Sequence, residues 1–453
     1  MNNETVIEGR AFAKASARLL PLLFACYIIA YLDRVNVGFA KLQMAEALKF
    51  SDAVYGFGAG IFFIGYFLFE VPSNLILERV GARVWIARIM ITWAIVSGAF
   101  AFVNVIPWGP LPALFGIPQT QFSFYALRFL LGIAEAGFFP GIILYLTYWF
   151  PAKRRARTVA LFMTAVAIAN AVGGPISGAI MQYFDGAGGW PGWRWLFVTE
   201  ALPSLVAGIA VLLWLPNGPA QTRWLTSDER DAILHNVSAD NLTRANSTVA
   251  SHSSNSARAA LVNARVWALA FVYLAGTFAL YAVNFWMPTI VQELGIPRTD
   301  YLRVGLVTMI PWGLAGMAMV YVAAHSDKTG ERRWHVAGSL LVTGAGLLLL
   351  AAVGHAAVLS IVALSCVTCG VLSFLATFWA VPTEFLRQSA AAAGIAWINS
   401  IGNLGGQLGP DLIGRVRAAT GGNAGAFVVL AVFTILGAGV LLIVTRTRSR
   451  VAV

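Results

Sequence analysis

Three polar residues interrupt a long apolar stretch near the start of the chain and have the chemistry to handle ions. Asp33, Arg34 and Asn36 lie within a run from Leu19 to Ala40 that is otherwise apolar or small. A charge at the bilayer centre costs at least about 2.5–3.5 kcal/mol on insertion scales, and tolerated charges face a protein interior or a water-filled path. The stretch therefore predicts a membrane-spanning helix that carries a buried substrate or proton site. The alternative, that Asp33 and Arg34 end the helix at the membrane surface, is disfavoured by the apolar continuation after them.

The composition indicates a polytopic membrane protein. In 453 residues, 58% are hydrophobic and 11% are charged, whereas a soluble domain has about 25% charged residues. The net charge of +11 could suggest nucleic acid, but the basic residues lie mainly in short loops between apolar runs, so no nucleic-acid partner is expected. The three cysteines lie in apolar runs and are too few for a disulfide framework.

Twelve apolar runs are long enough to cross a bilayer, since about 20 helical residues span its hydrocarbon core. The sequence therefore predicts an all-α integral membrane fold of twelve transmembrane helices in two six-helix, pseudo-symmetric bundles. The first run follows a polar start of about 18 residues and reads as an uncleaved helix rather than a secretory signal. The chain is predicted to begin with a cytoplasmic segment (1–18) and to end with a cytoplasmic tail (447–453). Between them lie the N-terminal bundle (19–215), a cytoplasmic linker (216–263) and the C-terminal bundle (264–446).

The linker is rich in Ser and Asn, and Ser227-Asp228-Glu229-Arg230 within it resembles a helix start. Loop charges set the orientation, because cytoplasmic loops carry an excess of Lys and Arg. We count 21 Lys and Arg on the face with both termini and 7 on the opposite face, while Arg34, Arg88 and Arg128 lie in or at the edge of helices. Both termini are therefore expected in the cytoplasm.

The two halves carry a weak internal repeat. The loop after the second span contains Glu78, Arg79, Gly81 and Arg83, and the loop after the eighth span echoes it with Asp327, Lys328 and Gly330. Glycine permits a tight reversal there, and the charges can pair with each other and with helix ends. Parallel six-helix repeats place the substrate site between the halves, near the membrane midplane.

The fourth span supplies a second charged pair. Arg128 and Glu135 are seven residues apart, about two turns, so both project from one face of a helix. They could form a structural ion pair, or Arg128 could bind substrate while Glu135 exchanges a proton. A carboxyl in a low-dielectric site favours its protonated form, and a nearby arginine favours the ionised form, so a moving cavity can load and unload it.

These motifs resemble those of the major facilitator superfamily over nearly the whole chain. The narrower resemblance is to the anion:cation symporter family, through Tyr31-x-Asp33-Arg34-x-Asn36, Pro72-Ser73-Asn74-Leu75 and the stretch from Arg128 to Gly141. That family includes permeases for tartrate, galactonate, phthalate and hydroxyphenylacetate. The loop motif departs from the usual pattern, because its leading glycine is here Asn74.

The resemblance implies a proton symporter in which Asp33 and Glu135 are the coupling acids and Arg34 meets the substrate. A guanidinium fork also matches a carboxylate geometrically, and Asp33 points about 100° away from its neighbour. No cofactor beyond the coupling proton is implied. The remaining candidate substrate-binding residues are Tyr31, Arg128, Tyr281, Trp379 and Asn399, the last matching a polar pocket position of the family.

The substrate is expected to be a small organic carboxylate such as a hydroxy acid, sugar acid or aromatic acid, carried by a monomer in the cell's inner membrane. One carboxylate is favoured over a polyanion, because the seventh span shows no second cationic residue. An organic-anion exchanger or exporter of the same fold is the alternative. A non-transporting sensor is disfavoured, because it would be expected to carry an appended signalling domain and neither the tail nor the central loop is one. An enzyme is disfavoured because the five histidines show no metal-ligand spacing.

Overall fold

The structure, a computed structural model, describes residues 3–248, 262–354, 356–385 and 388–446. Long apolar helices dominate it, as the composition predicts. The helices of the first half are α1 (Asn3–Ala47), α2 (Asp52–Val80), α3 (Ala82–Ala99), α4 (Leu111–Leu114), α5 (Gln119–Glu135), α6 (Phe138–Thr147), α7 (Ala152–Tyr183), α8 (Gly192–Trp214) and α9 (Ser227–Thr248). Those of the second half are α10 (Ala264–Gln292), α11 (Tyr301–Thr329), α12 (Arg333–Val353), α13 (Ala357–Phe378), α14 (Ala380–Phe385), α15 (Gln388–Asn403), α16 (Gly405–Thr420) and α17 (Ala424–Val444).

Eleven stretches in the described ranges are long and apolar enough to cross a membrane as they stand. The predicted eleventh span, near 392–414, is instead shared by α15 and α16, each 16 residues long. Neither part reaches the length of a span alone, but together they supply the twelfth crossing of the fold. The helix around Asp33 and Arg34 continues to Ala47, so these residues do not end it at the membrane surface.

The fourth predicted span is broken beside the second charged pair. Helix α5 ends at Glu135, and Ala136 has an extended ψ of 132°. Gly137 then adopts a φ of +82° before α6 begins, a left-handed conformation that glycine accepts without steric cost. The break places the Glu135 carboxyl at the end of a helix, in a position fixed by local backbone geometry.

The predicted linker is more helical than expected. Helix α9 begins at Ser227, where the sequence indicated a helix start, and continues for 22 residues. It lies against α1, where Lys14 forms an ion pair of 2.6 Å with Glu229. The rest of the Ser- and Asn-rich segment, residues 249–261, lies outside the described residues.

The two halves pack closely at the end of the molecule opposite the N-terminus. Here α2 contacts α16, and α7 contacts α11. Glycines permit the approach: a side chain at Gly56 would collide with the backbone of Pro410, and one at Gly305 would collide with that of Gly174. Small residues at such crossings let helix backbones come together.

Candidate functional site

Asp33 lies in the interior of the first half, hydrogen-bonded to neutral groups. It is 1% exposed and accepts hydrogen bonds from Ser204 Oγ at 2.6 Å, Ser97 Oγ at 3.0 Å and Asn36 Nδ2 at 3.3 Å. The two serines belong to α8 and α3, so Asp33 faces these helices. Asp33 and Arg34 diverge on α1, as their adjacent positions predict.

Arg34 forms an ion pair with Glu135, in which guanidinium Nη2 donates to Oε1. The sequence predicted both residues for the site but did not predict that they meet. Within the described ranges, Arg34 Nε and Glu135 Oε2 are buried without a hydrogen-bond partner. The pair therefore has one donor and one acceptor to spare.

Aromatic rings surround the Arg34 guanidinium. Its central carbon lies 4.8 Å from the ring centre of Tyr31, 5.4 Å from that of Phe62 and 5.7 Å from that of Tyr66. Such contacts are favourable because the face of an aromatic ring is electron-rich. Tyr31, predicted for the site, thus contacts the cation directly, while Phe62 and Tyr66 extend the site beyond the predicted residues.

Arg128 contacts the same Phe62 ring, with its guanidinium carbon 5.1 Å from the ring centre. It donates to the carbonyl of Ala59 at 2.7 Å and is 1% exposed. No acidic side chain in the described part of the chain lies within ion-pair distance of it, and its Nε has no partner there. The predicted alternative of a structural ion pair with Glu135 is wrong, because Glu135 is engaged by Arg34.

Two predicted residues of the second half lie in different surroundings. Tyr281, on α10, reaches the first half, with its ring centre 4.3 Å from that of Phe63. Trp379, just after α13, packs 4.8 Å from Tyr273 and 5.3 Å from Phe378, both in its own half. Tyr281 therefore joins the interface between the halves, whereas Trp379 belongs to an aromatic cluster beside it.

Asn399 forms a hydrogen bond across the interface, donating from Nδ2 to Glu70 Oε1 at 3.3 Å. Glu70, on α2, is buried and was not predicted. A second amide bridge joins the halves, in which Asn284 Nδ2 donates to Asn170 Oδ1 at 2.9 Å. In both contacts an uncharged amide of the second half meets a polar group of the first, so the second half contributes no charge to either contact.

The loop after α2 turns at Gly81 and contacts the end of α8 and the segment after it. Gly81 has a φ of +95°, and the backbone N–H of Arg83 donates to Asn217 Oδ1 at 3.0 Å. Arg83 Nε also donates to the carbonyl of Leu212. These contacts lie within the first half, while Glu78 and Arg79 flank the turn at the end of α2.

The echoing loop after α11 turns at Gly330, whose φ is +68°. Asp327 forms an ion pair of 2.6 Å with Arg332 across this turn, and Lys328 lies in the last turn of α11. The predicted similarity of the two loops therefore extends to a glycine with positive φ in each.

A charged cluster, which we call the interface lock, closes the end where α2 begins; it consists of Lys41, Asp52, Glu293 and Arg417. Asp52 lies 2.9 Å from Lys41 and 3.0 Å from Arg417, and Arg417 lies 2.6 Å from Glu293. Asp52 and Arg417 belong to different halves. Two ion pairs join the halves in the described ranges: Asp52–Arg417 and Arg298–Glu46, the latter at 4.0 Å. Both lie at this end.

Sequence reasoning missed two buried acids, Glu70 and Glu200. Each is an isolated carboxylate within a long apolar helix and belongs to no motif. The same signal that drew attention to Asp33, an acid inside a membrane span, would have found both.

A family model described as Major Facilitator Superfamily matches residues 23–410. A protein of Agrobacterium vitis named "Putative tartrate transporter" is 47% identical over 99% of this chain and 97% of its own length. An Acinetobacter baumannii protein named "Quinolone resistance transporter" is 37% identical over 93% of this chain and 91% of its own.

Among solved structures, a bacterial homologue of the human lysosomal transporter Spinster, inward-facing and occupied, matches with a TM-score of 0.70. It shares 16% identity and covers 96% of this chain and 97% of its own. At this identity the match establishes the fold.

Proposed function

The chain belongs to the major facilitator superfamily as a multi-pass membrane transporter of the anion:cation type, not an enzyme, and we propose that it takes up a small organic carboxylate together with protons. The observation that carries the proposal is the buried Arg34–Glu135 ion pair. It places a carboxylate-binding cation and a proton-binding acid in one contact, so that the binding of the two substrates is linked.

The linkage follows from competition for the guanidinium. While Glu135 is ionised it occupies Arg34, and a substrate carboxylate must displace it and leave a buried charge unpaired, which is costly. A proton on Glu135 removes that cost and frees the donors of Arg34 for the substrate. Substrate and proton therefore bind most favourably together, which is the requirement for symport.

Arg128 extends the proposal to the substrate's second functional group. Its buried charge has no acidic partner in the described part of the chain, and its guanidinium contacts the Phe62 ring that Arg34 also contacts. A second carboxylate of the substrate would neutralise it. Together with the name of the Agrobacterium vitis relative, this favours hydroxy dicarboxylates of the tartrate type over the single carboxylate that the sequence suggested, with sugar acids and aromatic acids next.

Alternating access would proceed by rocking of the two halves about this site. The interface lock closes one end, and the excess of Lys and Arg in the loops of the opposite face supports an assignment of the closed end to the outside of the cell. We propose that this is the inward-facing state of a monomer in the inner membrane, with both termini in the cytoplasm. The coupling ion is the proton, and Asp33 is a coupling acid beside Glu135.

The test is uptake of labelled organic acids into proteoliposomes, with and without an inward proton gradient. The panel contains tartrate, galactonate, glucarate, phthalate, 4-hydroxyphenylacetate and protocatechuate. We expect tartrate to accumulate and the accumulation to collapse with a protonophore.

Gradient-independent equilibration would contradict symport and indicate an exchanger or facilitator. Transport of a quinolone but of no acid would contradict uptake of carboxylates, and would favour the export that the name of the Acinetobacter baumannii relative describes.

A further inference from the structure

Glu200 lies in the same buried cluster as Asp33. It is on α8, one turn before Ser204, which donates to Asp33. Residues four apart lie on one face of a helix, so the two side chains face α1 together. The Asn36 amide, which donates to Asp33 Oδ1 at 3.3 Å, lies on α1 beside them. We call Asp33, Asn36 and Glu200 the acid cluster.

The hydrogen bonds of the acid cluster are unequal. Asp33 accepts three, from Ser97, Ser204 and Asn36. Glu200 is 6% exposed and accepts one from Ser177 at 2.7 Å, while its Oε2 has no partner that meets hydrogen-bond geometry in the described ranges.

Helices α1, α3 and α7 pack against α8 around the acid cluster. From α1 come Asp33 and Asn36, from α3 comes Ser97, and from α7 comes Ser177. Within the described part of the chain, no lysine or arginine forms an ion pair with either carboxyl, and the neighbouring Arg34 is engaged by Glu135. The cluster therefore holds two carboxyls and only neutral donors.

Two ionised carboxylates cannot share such a site without a large cost, because each is desolvated and they repel each other. Asp33 has the donors that an anion needs, whereas Glu200 has one donor and a free oxygen. Glu200 is thus the carboxyl better suited to be neutral, and Asp33 is the carboxyl better suited to be ionised.

We propose that Glu200 is a second proton-binding carboxyl of the transport cycle, which shares a proton with Asp33 on the side of α1 remote from the Arg34–Glu135 pair. The proposal rests on the proposed symport and adds a residue to its proton path. In each cycle a proton from solution binds Glu200, passes to the Asp33 carboxylate and is released from Asp33 to solution, so one proton enters, one leaves, and no group is oxidised or reduced.

The first test needs no substrate: infrared difference spectroscopy of the purified full-length protein in lipid, as a function of pH. We expect the wild type to show the absorption of a protonated carboxylic acid at neutral pH, and Glu200→Gln to lose it. Gln retains the oxygen that accepts from Ser177, which favours correct folding. Asp231→Asn, which removes an acid exposed on α9, is the matched control and should keep the absorption. An unchanged band in Glu200→Gln would overturn the proposal, whatever the transport assays show.

The second test distinguishes a proton-binding role of Glu200 from a purely structural role. In proteoliposomes, Glu200→Gln should shift the pH profile of proton-driven accumulation and lower the accumulation by roughly ten-fold per unit of pH gradient, since one coupled proton supplies about 1.4 kcal/mol per unit. Substrate exchange between preloaded vesicles should stay within about two-fold of wild type, and Glu200→Asp should restore the wild-type pH profile.

Equal loss of exchange and accumulation would make Glu200 structural and overturn the proposal. If the wild type itself shows no proton-driven transport, the proposed symport fails, while the infrared result still decides whether Glu200 holds a proton.

Discussion

The two halves of this transporter bury different chemistry. The first half encloses acids and bases within its spans: Asp33, Arg34, Lys41, Glu70, Arg128, Glu135 and Glu200. In the second half, the buried polar residues among those described are neutral, chiefly Ser and Thr with Asn284 and Gln407. Ion handling is therefore concentrated on one side of the interface, and the other side supplies aromatic rings and amides.

This asymmetry is consistent with transport by relative movement of the halves. Buried charges need partners in fixed geometry, because losing one partner costs about 3–5 kcal/mol. Arg34 pairs with Glu135, and Asp33 bonds to Ser97 and Ser204, all within the first half. Rocking of the halves would leave these contacts intact, and would break contacts that cross the interface, such as the Asp52–Arg417 ion pair and the two amide hydrogen bonds.

Removal of the central cation should have the largest effect. Arg34→Gln would leave Glu135 buried and unpaired and remove the carboxylate fork, so we expect at least about a 100-fold loss of substrate uptake. Arg34→Lys should recover part of it, because it restores charge without the planar fork. Uptake in proteoliposomes measures this, with the exposed Arg223→Gln as control.

Because Arg34→Gln could also fail to fold, the double variant Arg34→Gln/Glu135→Gln is needed beside it. It removes both charges of the pair and should fold while still failing to bind substrate. Wild-type uptake by either variant would contradict the assignment of Arg34.

Neutralising Glu135 should separate binding from coupling. Glu135→Gln frees Arg34 permanently, so substrate binding should become independent of pH while proton-driven accumulation falls at least about ten-fold. Binding measured by calorimetry across pH, together with uptake, checks both parts. If binding keeps the wild-type pH dependence, then another acid, Asp33 or Glu200, controls Arg34.

Substitutions in the second half should change selectivity and leave coupling intact. Tyr281→Phe and Asn399→Leu each remove one neutral hydrogen-bonding group, which is worth about 0.5–1.5 kcal/mol, so we expect losses of ten-fold or less. The ratio of protons to substrate should not change, whereas the preference for hydroxylated acids should fall. A changed stoichiometry in either variant would show that coupling extends across the interface, with Asn399 acting through Glu70.

The sequence allowed the fold class and most spans to be predicted, because a membrane helix is specified by its length and apolarity. The same reasoning identified four charged residues, because a charge inside a membrane helix costs free energy: Asp33, Arg34, Arg128 and Glu135. The break at Ala136 and Gly137 was not predicted, because a glycine-rich span also packs as a continuous helix. The division of the eleventh span at Leu404 was missed for the same reason.

Pairing across the fold could not be predicted from one sequence. Arg34 and Glu135 are 101 residues apart, and only the packing of α1 against the α5 break shows that they meet. The interface lock likewise joins residues of α1, α2 and α16 with Glu293, which directly follows α10. The free-energy cost of a charge inside a membrane helix can be recognised from the sequence around it. The partner that offsets this cost is determined by the tertiary structure.

The smallest effect is expected for a charge pair outside the membrane core, Lys14 and Glu229. The Lys14 ammonium, 2.6 Å away, holds the pKa of the Glu229 carboxyl below its usual value. A lowered pKa stabilises the folded state above the unfolded-state pKa of about 4.3, and this stabilisation is lost as pH falls through the folded value.

Because Lys14 is 41% exposed, Lys14→Met should cost about 1 kcal/mol or less at pH 7. The cost should vanish in acid, where wild-type Glu229 is protonated and the pair is already lost. Thermal unfolding of variant and wild type, compared at both pH values, tests this, because the difference between them cancels the other titrating groups. A loss of unfolding free energy of about 3–5 kcal/mol, the cost expected for breaking a buried pair, would show that charge pairing itself, rather than burial in the first half, determines the energetic asymmetry of the molecule.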